Sequence, residues 1–326
     1  MIVEQQLKDW AADRRRQRDA SEAANRVAAA WSQSRSHCRF DEAFEPLEGA
    51  SAETVAGAAR DLFADDIWVS ELIATLAAEM RRNPFFEPPF RALNTELHTG
   101  LLVYENDAVA IAAGVSRAAP LATRKCAARA ATSVNFTGQV NVLKFVKAGR
   151  ATLSFWEAPP ITPDFAAASA SQCRRTATRR IADGEIVTID GRSQAYVIEH
   201  VAANILLLQA VVKAGQAPLS VEYDSASFGY VGCSAVDDSD SRVQMITTLV
   251  RKLGRADAVP VLVAFLDHPS FFVRWHVMRE LLGLDVRAAL PHLHRMAADD
   301  PHPDARAAAG AALGRAESVL NERKAA

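Results

Sequence analysis

Several features that place proteins in special classes are missing from this sequence of 326 residues. Its formal net charge is only −2, so no strong field favours nucleic acid or an acidic membrane as a partner. No apolar run approaches the roughly 20 residues that a bilayer-spanning helix needs. The first residues lack the basic and apolar regions of a signal peptide. We therefore expect a cytoplasmic protein that binds neither membranes nor nucleic acid.

Cysteine is scarce and scattered along the chain. The four cysteines, Cys38, Cys126, Cys173 and Cys233, form no C-x-x-C pair, which is the spacing typical of redox and zinc sites. In a chain without export signals, widely spaced thiols are most simply reduced. We expect four buried thiols and no disulfide framework.

Signatures of common catalytic classes are also absent. The sequence contains no G-x-S-x-G nucleophile elbow, no P-loop and no G-x-G-x-x-G nucleotide fingerprint. The acidic run from Asp237 to Asp240 lacks the later Gly and Glu of a calcium loop, so it is better interpreted as the start of a helix. Sequence motifs therefore do not identify a reaction for this protein.

What the chain does contain is a change of periodicity. Residues 1–90 carry apolar side chains at helical spacing and end in a connector rich in proline and phenylalanine. Residues 91–238 consist of short apolar runs between Gly and Asp turn signals, which is typical of a β-sandwich or barrel. Residues 239–326 return to helical spacing. The prediction is an α+β chain of three domains.

The predicted strand Val140–Val146 carries apolar residues on both of its faces. We expect such strands to lie between a barrel interior and a covering layer of helices.

In the last domain, one predicted helix carries an apolar stripe that should face the core. Its members are Val243, Ile246, Leu249, Val250 and Leu253.

The last domain also repeats itself after thirty-two residues. The repeated pattern is Asp-x-Pro, a short gap, and then an apolar residue followed by Arg. It begins at Asp267 and ends at Arg274 in the first copy, and it begins at Asp299 and ends at Arg306 in the second. Self-similarity at this period is typical of stacked helix pairs. The pattern resembles short HEAT-like repeats, in which the Asp and Arg help to hold adjacent repeats together. That resemblance implies structural roles for these four residues.

Stacked helix pairs form concave surfaces that bind partners more often than they perform chemistry. Trp275 and His276 lie on a predicted repeat helix and are the candidate contacts for a protein partner. His292 and His294 lie two residues apart, so they point about 200° away from each other on a helix and cannot share a ligand.

Two stretches of the central segment carry a family resemblance. Glycines bracket a strand in Ala182-Asp-Gly-Glu-Ile-Val-Thr-Ile-Asp-Gly191, and His200-Val-Ala-Ala-Asn204 follows. The arrangement resembles the second motif of the cupin family, which implies a double-sheet β-barrel able to hold a metal ion or small molecule. The chain departs from that motif because Ser193 and Gln194 stand where a ligand histidine should follow Gly191.

The candidate binding residues come from this segment. His98 and His200 are the histidines available for a divalent metal, but the pattern favours a hydrogen-bonded structural histidine or an exposed one over a metal ligand. Arg175 and Arg179 share one face of a predicted strand and could bind a carboxylate or phosphate, or protect a sheet edge by charge. The predicted ligand pocket combines His200, Arg175, Arg179, Ser193 and Gln194.

Two functions therefore stay open. The first is a noncatalytic binding or adaptor protein without a cofactor, which presents a helical-repeat surface beside a degenerate cupin-like barrel. The alternative is a metal-dependent cupin-type enzyme, or a small-molecule binding protein, with an interior pocket near His200. A basic arm at Arg14–Arg18 could bind nucleic acid, but the acids around it favour a solvated helix face.

Overall fold

The computed structural model describes residues 2–127, 132–162, 165–167 and 170–325. The helices are Ile2–Ala12 (α1), Arg14–Ser32 (α2), Arg35–Phe44 (α3), Ala52–Ala64 (α4), Ile67–Arg82 (α5), Ala118–Ala127 (α6), Asp238–Lys252 (α7), Val259–Ala264 (α8), Phe271–Leu284 (α9), Val286–Asp299 (α10) and Pro303–Ala325 (α11). None of the helices described has both the length and the apolar character needed to cross a membrane.

The strands lie between α5 and α7 in the chain. They are Arg91–Asn94 (β1), His98–Glu105 (β2), Val109–Ser116 (β3), Ser133–Phe136 (β4), Val140–Lys147 (β5), Thr152–Glu157 (β6), Arg174–Arg180 (β7), Glu185–Asp190 (β8), Gln194–His200 (β9), Ile205–Val212 (β10), Leu219–Asp224 (β11) and Tyr230–Ala235 (β12). Helices precede and follow this block of strands, so the predicted α+β class is confirmed.

The chain forms two compact units. Unit 1 comprises Met1–Thr132, Gln139–Trp156 and Arg175–Gln216, and unit 2 comprises Ser133–Gly138, Glu157–Arg174 and Ala217–Ala326. The amino-terminal helices thus belong to the same unit as most of the strands, because they share one core with them. The division into three domains at residues 90 and 238 stays a prediction.

Unit 1 is built on an antiparallel sheet with the strand order β1-β2-β3-β10-β5-β8. Along β5, Val140 and Val142 belong to the core shared with helices α2–α5. Leu143 and Phe145 belong to a second core, which they share with β6 and β8. Since side chains of a strand alternate between its faces, β5 is covered on both sides, as expected.

Lys144 lies on the helix-facing side of β5 although it carries a charge. It is buried, and its Nζ donates a hydrogen bond to the Phe63 carbonyl at 2.6 Å and lies 3.0 Å from Asp66 Oδ2. Phe63 is in the last turn of α4, where carbonyl groups lack helical partners and a cation is favourable. Lys144 therefore fixes the end of α4 on the sheet.

The strands that the structure describes do not close the predicted double-sheet β-barrel. The large sheet ends at β1 and β8, and a separate three-stranded sheet has the order β7-β6-β9. Strand β1 is exposed along its whole length, as an edge strand is. One face of the large sheet is packed against helices, so only its other face contributes to a core between strands. The result is an open layered arrangement.

Unit 2 contains a small sheet and the carboxy-terminal helices. The sheet has the strand order β12-β11-β4. Helices α8–α11 bury a continuous apolar core. The members of this core with no exposed surface are Val273, Val277, Met278, Leu281, Ala289, Leu293 and Ala309.

The prediction of buried thiols is correct only for Cys173. Cys38 is exposed because α3 buries Phe40 and Phe44, and a residue two positions before Phe40 lies on the opposite side of the helix. Cys233 is exposed on β12, an edge strand of its sheet. The side chain of Cys126 lies outside the described residues.

Candidate functional site

A buried ion pair holds the repeat helices of unit 2 together. Arg274 donates from Nε and Nη2 to the two Asp300 carboxylate oxygens, at 2.8 and 2.7 Å. Its Nη1 also donates to the carbonyls of His268 and Pro269. The two side chains are only 8% and 4% exposed. Burial alone would raise the pKa of Asp300, but its hydrogen bonds with Arg274 and with the His302 amide lower it overall.

This geometry shows how the residues of the repeat pattern are paired. Asp300, rather than its neighbour Asp299, is the partner of Arg274. Arg306 is structural as expected, since its Nη1 donates to the Asp300 carbonyl at 2.5 Å. Asp267 instead forms an exposed pair with Arg295, at 3.3 Å.

The inner side of α7 is joined to α9 by polar contacts. His276 Nε2 lies 2.9 Å from Thr248 Oγ1 and 3.0 Å from the Gln244 carbonyl. Arg251 Nε donates to Glu280. A Cβ on Gly283 would collide with the Arg251 side chain, so the absence of a side chain there leaves room for Arg251 to reach Glu280. These contacts fix the orientation of α7 on α9.

The two residues predicted to contact a partner, Trp275 and His276, both make contacts within unit 2. Burial lowers the pKa of His276, which outweighs the raising effect of Glu280. Trp275 is half-buried and packs against the apolar core of the helices. Their role as contacts of a partner stays a prediction.

The outer side of α7 presents a different surface. Four large apolar side chains, at positions spaced to share one helix face, are more than half exposed. We call them the α7 stripe: Met245 (67% exposed), Ile246 (59%), Leu249 (54%) and Leu253 (64%). The apolar pattern of this helix is thus split between two sides, because Val243 and Val250 pack against the core.

Charged residues flank the α7 stripe. Arg242 and Lys252 are exposed at helical positions that place them on the same face as Ile246 and Leu249. Asp238 is the acid of this face, four residues before Arg242. Two cations and one acid leave a charge of +1 around the stripe.

The predicted binding residues of the β region lie apart from these helices. His200 is exposed at the end of β9. Ser193 ends the turn that joins β8 to β9, and Gln194 is the first residue of β9. The Ser193 amide donates to the Asp190 carbonyl at 3.0 Å, and Gln194 Oε1 accepts from the Asp190 amide at 3.2 Å. Both residues contribute to the turn.

Arg175 and Arg179 each have their own partners. The Arg175 guanidinium lies 4.8 Å from the centre of the Trp156 ring and 3.5 Å from Glu199 Oε1. The Arg179 guanidinium lies 5.1 Å from the centre of the Phe155 ring, and its Nη1 is 2.5 Å from Glu185 Oε1. Since each arginine is paired with a separate acid, the structure does not bring them together as one anion site.

The candidate metal ligands His98 and His200 lie on different strands, β2 and β9. His98 Nδ1 lies 2.7 Å from Ser116 Oγ, across the pairing of β2 with β3. Among the residues whose placement is described, no group of three His, Cys, Asp or Glu side chains could hold a metal ion. A metal role for His98 and His200 stays a prediction.

Comparison with known proteins bears on the repeats most directly. Residues 234–314 match the family described as HEAT repeats, which confirms the predicted HEAT-like segment. The matched residues form about a quarter of the chain and include α7 as their first helix. No curated protein matches the chain.

Several solved structures align with parts of the chain. Ectoine synthase from P. lautus is 10% identical, over 38% of this chain and 69% of that one, with a TM-score of 0.24. A cupin domain from Bordetella pertussis is 12% identical, over 37% and 99%, with a TM-score of 0.23. The polyketide cyclase RemF from Streptomyces resistomycificus is 8% identical, over 45% and 80%, with a TM-score of 0.24. These neighbours include a cupin domain, but TM-scores this low support no conclusion about the fold or the chemistry of this chain.

Proposed function

We propose that this protein is a noncatalytic binding or adaptor protein whose α7 stripe takes up an amphipathic helix of a partner protein. The observation that carries the proposal is the exposure of four large apolar side chains on one side of a helix that is fixed on its other side. A helix held in this way offers a preformed surface, and preformed surfaces lose less entropy on binding.

The position of α7 in the repeats supports this proposal. Helical-repeat arrays need a polar outer face on their terminal repeat to stay soluble. Helix α7 is the first helix of the matched repeats, yet its outer face is apolar. Complete burial of a Leu, Ile or Met side chain contributes about 1.5–3 kcal/mol, so covering this stripe is favourable.

The chemistry of the surface indicates what kind of segment binds there. A partner helix buries residues at positions i, i+3, i+4 and i+7 in an apolar surface. Because the stripe is flanked by Arg242 and Lys252 and carries a net charge of +1, acids beside the apolar face of the partner are favoured. We therefore infer an acidic amphipathic helix.

Synthetic peptides test this proposal. Two peptides should carry the same Leu face, one flanked by Glu and the other by Lys, and their binding to the full chain is measured by fluorescence anisotropy. We expect tighter binding of the Glu peptide, and a loss of about tenfold or more in the Ile246→Asp variant. Ile67→Asp is the matched control, since Ile67 is 65% exposed on a helix of unit 1.

Three outcomes would contradict the proposal. They are equal binding of the two peptides, equal loss in the Ile246→Asp and Ile67→Asp variants, and a stripe that is already covered by a second copy. The last is detected by sedimentation velocity as a wild-type dimer that becomes a monomer in the Ile246→Asp variant.

The alternative of a metal-dependent cupin-type enzyme or small-molecule binding protein has less support. Its central residue His200 is exposed, and Ser193 and Gln194 are engaged in a turn. Metal analysis of the purified protein and of the His200→Ala variant tests it. Stoichiometric iron, zinc or manganese that the variant loses would favour this alternative over the adaptor.

A further inference from the structure

We propose that unit 1 contains a binding site for a small organic cation with an ammonium group. The site is a cavity of about 500 Å³, which lies within the range of small-molecule pockets. Its walls include the aromatic rings of Trp31, Phe90 and Tyr104, and its acids include Asp41 and Glu45. All five residues belong to unit 1, so the site is independent of the α7 stripe.

The aromatic wall is rigid. Trp31 Nε1 donates to the Val103 carbonyl at 3.3 Å, and the Trp31 ring packs edge-on against Phe90 with 5.9 Å between ring centres. Tyr104 is buried against Phe40, with 5.3 Å between ring centres. Aromatic faces attract cations through the ring quadrupole. The positions of these rings are thus fixed by contacts within unit 1.

The charges of the cavity favour a cation. Its lining contains the acids Asp41, Glu45 and Glu105 and the single arginine Arg91. Glu105 is paired with both Lys213 Nζ at 2.8 Å and Arg91 Nη2 at 3.5 Å, so these three side chains carry a net charge of +1. The carboxylates of Asp41 and Glu45 bring the net charge at the cavity to −1. Asp41 and Glu45 thus supply the negative charge that a ligand would meet.

The position of these two acids in the fold is unfavourable without a cation. Asp41 is in the last turn of α3 and Glu45 is its C-cap. Carboxylates at a helix C-terminus interact unfavourably with the helix dipole, and α3 has no basic residue in its last turn. Among the described residues, the one ion pair of Asp41 is with His37, whose Nδ1 lies 3.1 Å from Asp41 Oδ2. That histidine carries a charge only when it is protonated. A bound cation would relieve this local excess of negative charge.

Tyr104 reports the same electrostatic environment. Burial is the largest cause, and together with the charge and hydrogen bond of Asp41 and the charge of Glu45 it raises the pKa of the Tyr104 hydroxyl to about 12. The part of this shift that comes from the two carboxylates, beside burial as its largest single cause, reflects their negative potential at the cavity wall. The combination of aromatic faces with such a potential matches the way proteins bind ammonium ligands.

Calorimetric titration of the full chain with choline, with ethanolamine and with 3,3-dimethylbutan-1-ol tests the proposal. The last compound has the shape of choline without its charge. We expect saturable binding of at least one of the two cations, and binding of the neutral compound that is at least about fivefold weaker. Equal binding of choline and its neutral analogue would overturn the proposal, as would no saturable binding of either cation.

Variants connect the binding to the cavity. Glu45 is exposed, so Glu45→Gln is expected to fold normally and to weaken cation binding at least about threefold. The matched control is Glu42→Gln, since Glu42 is exposed on the same helix and does not line the cavity. Phe90→Leu removes one aromatic face and should weaken the same cation by a similar factor. Unchanged affinity in both Glu45→Gln and Phe90→Leu would place the binding elsewhere and refute the site.

Discussion

Helices α7 and α9 are neighbours in the repeats of unit 2, and both carry large apolar residues at helical spacing. On α9, Val273, Val277 and Leu281 have no exposed surface, whereas the members of the α7 stripe are 54–67% exposed. The difference lies in the neighbours, because α9 packs against α7, α8, α10 and α11, whereas α7 packs against α9 and makes a smaller contact with β12. Similar residues therefore stabilise the fold in one helix and are available for a partner in the other.

The largest expected effect on stability comes from breaking the buried ion pair between Arg274 on α9 and Asp300. Arg274→Met should lower the free energy of unfolding by about 3–5 kcal/mol, because it leaves the Asp300 carboxylate buried and unpaired. Arg295→Met is the control. It breaks the exposed pair with Asp267, so a loss of about 0–1 kcal/mol is expected. Urea denaturation followed by circular dichroism measures both, and similar losses would show that burial is not the cause.

Truncation of one leucine on each helix tests the comparison directly. Leu281→Ala on α9 should lower the free energy of unfolding by about 2–5 kcal/mol, since it leaves a cavity in the core. Leu253→Ala in the α7 stripe should change it by less than about 0.5 kcal/mol. A large loss for Leu253→Ala in the same denaturation experiment would mean that the stripe stabilises the fold.

A smaller effect is expected from pH at the joint between the two helices. The pKa of His276 is lowered by burial, so the unfolded chain binds a proton more readily than the folded one. The stability that neutral His276 provides is complete above the unfolded pKa of about 6.5 and is lost as the pH falls towards the folded pKa. Between pH 7.5 and 5.5, wild type should lose up to about 1 kcal/mol more than the His276→Gln variant.

The comparison of denaturation curves at the two pH values checks this prediction. An equal loss in wild type and the His276→Gln variant would show that the joint between α7 and α9 is insensitive to this proton.

Much of the fold follows from the sequence. The alternation along β5 predicted a strand covered on both faces, and the Asp-x-Pro and Arg spacing predicted the repeats. The closure of the sheets could not be predicted, since a strand covered by helices has the same apolar pattern as one inside a barrel. Asp299 and Asp300 are adjacent, so only the geometry distinguishes the partner of Arg274.

The candidate sites were harder to predict. The apolar residues of α7 fit one broad stripe in the sequence, and only the packing separates Val243 and Val250 from the exposed side. The cavity of unit 1 combines residues from α2, α3, the connector and β2. Trp31 and Tyr104 are far apart in the chain, so no local motif indicates that they share a site.

A charge reversal beside the α7 stripe tests the central proposal most directly. Replacing both Arg242 and Lys252 with Glu changes the net charge around the stripe from +1 to −3 and keeps the apolar residues. The affinities of the Glu-flanked and Lys-flanked peptides should then exchange their order, with each changing by several-fold at low salt. If the order of the two peptides stays the same in this variant, the α7 stripe is not the surface that selects an acidic helix.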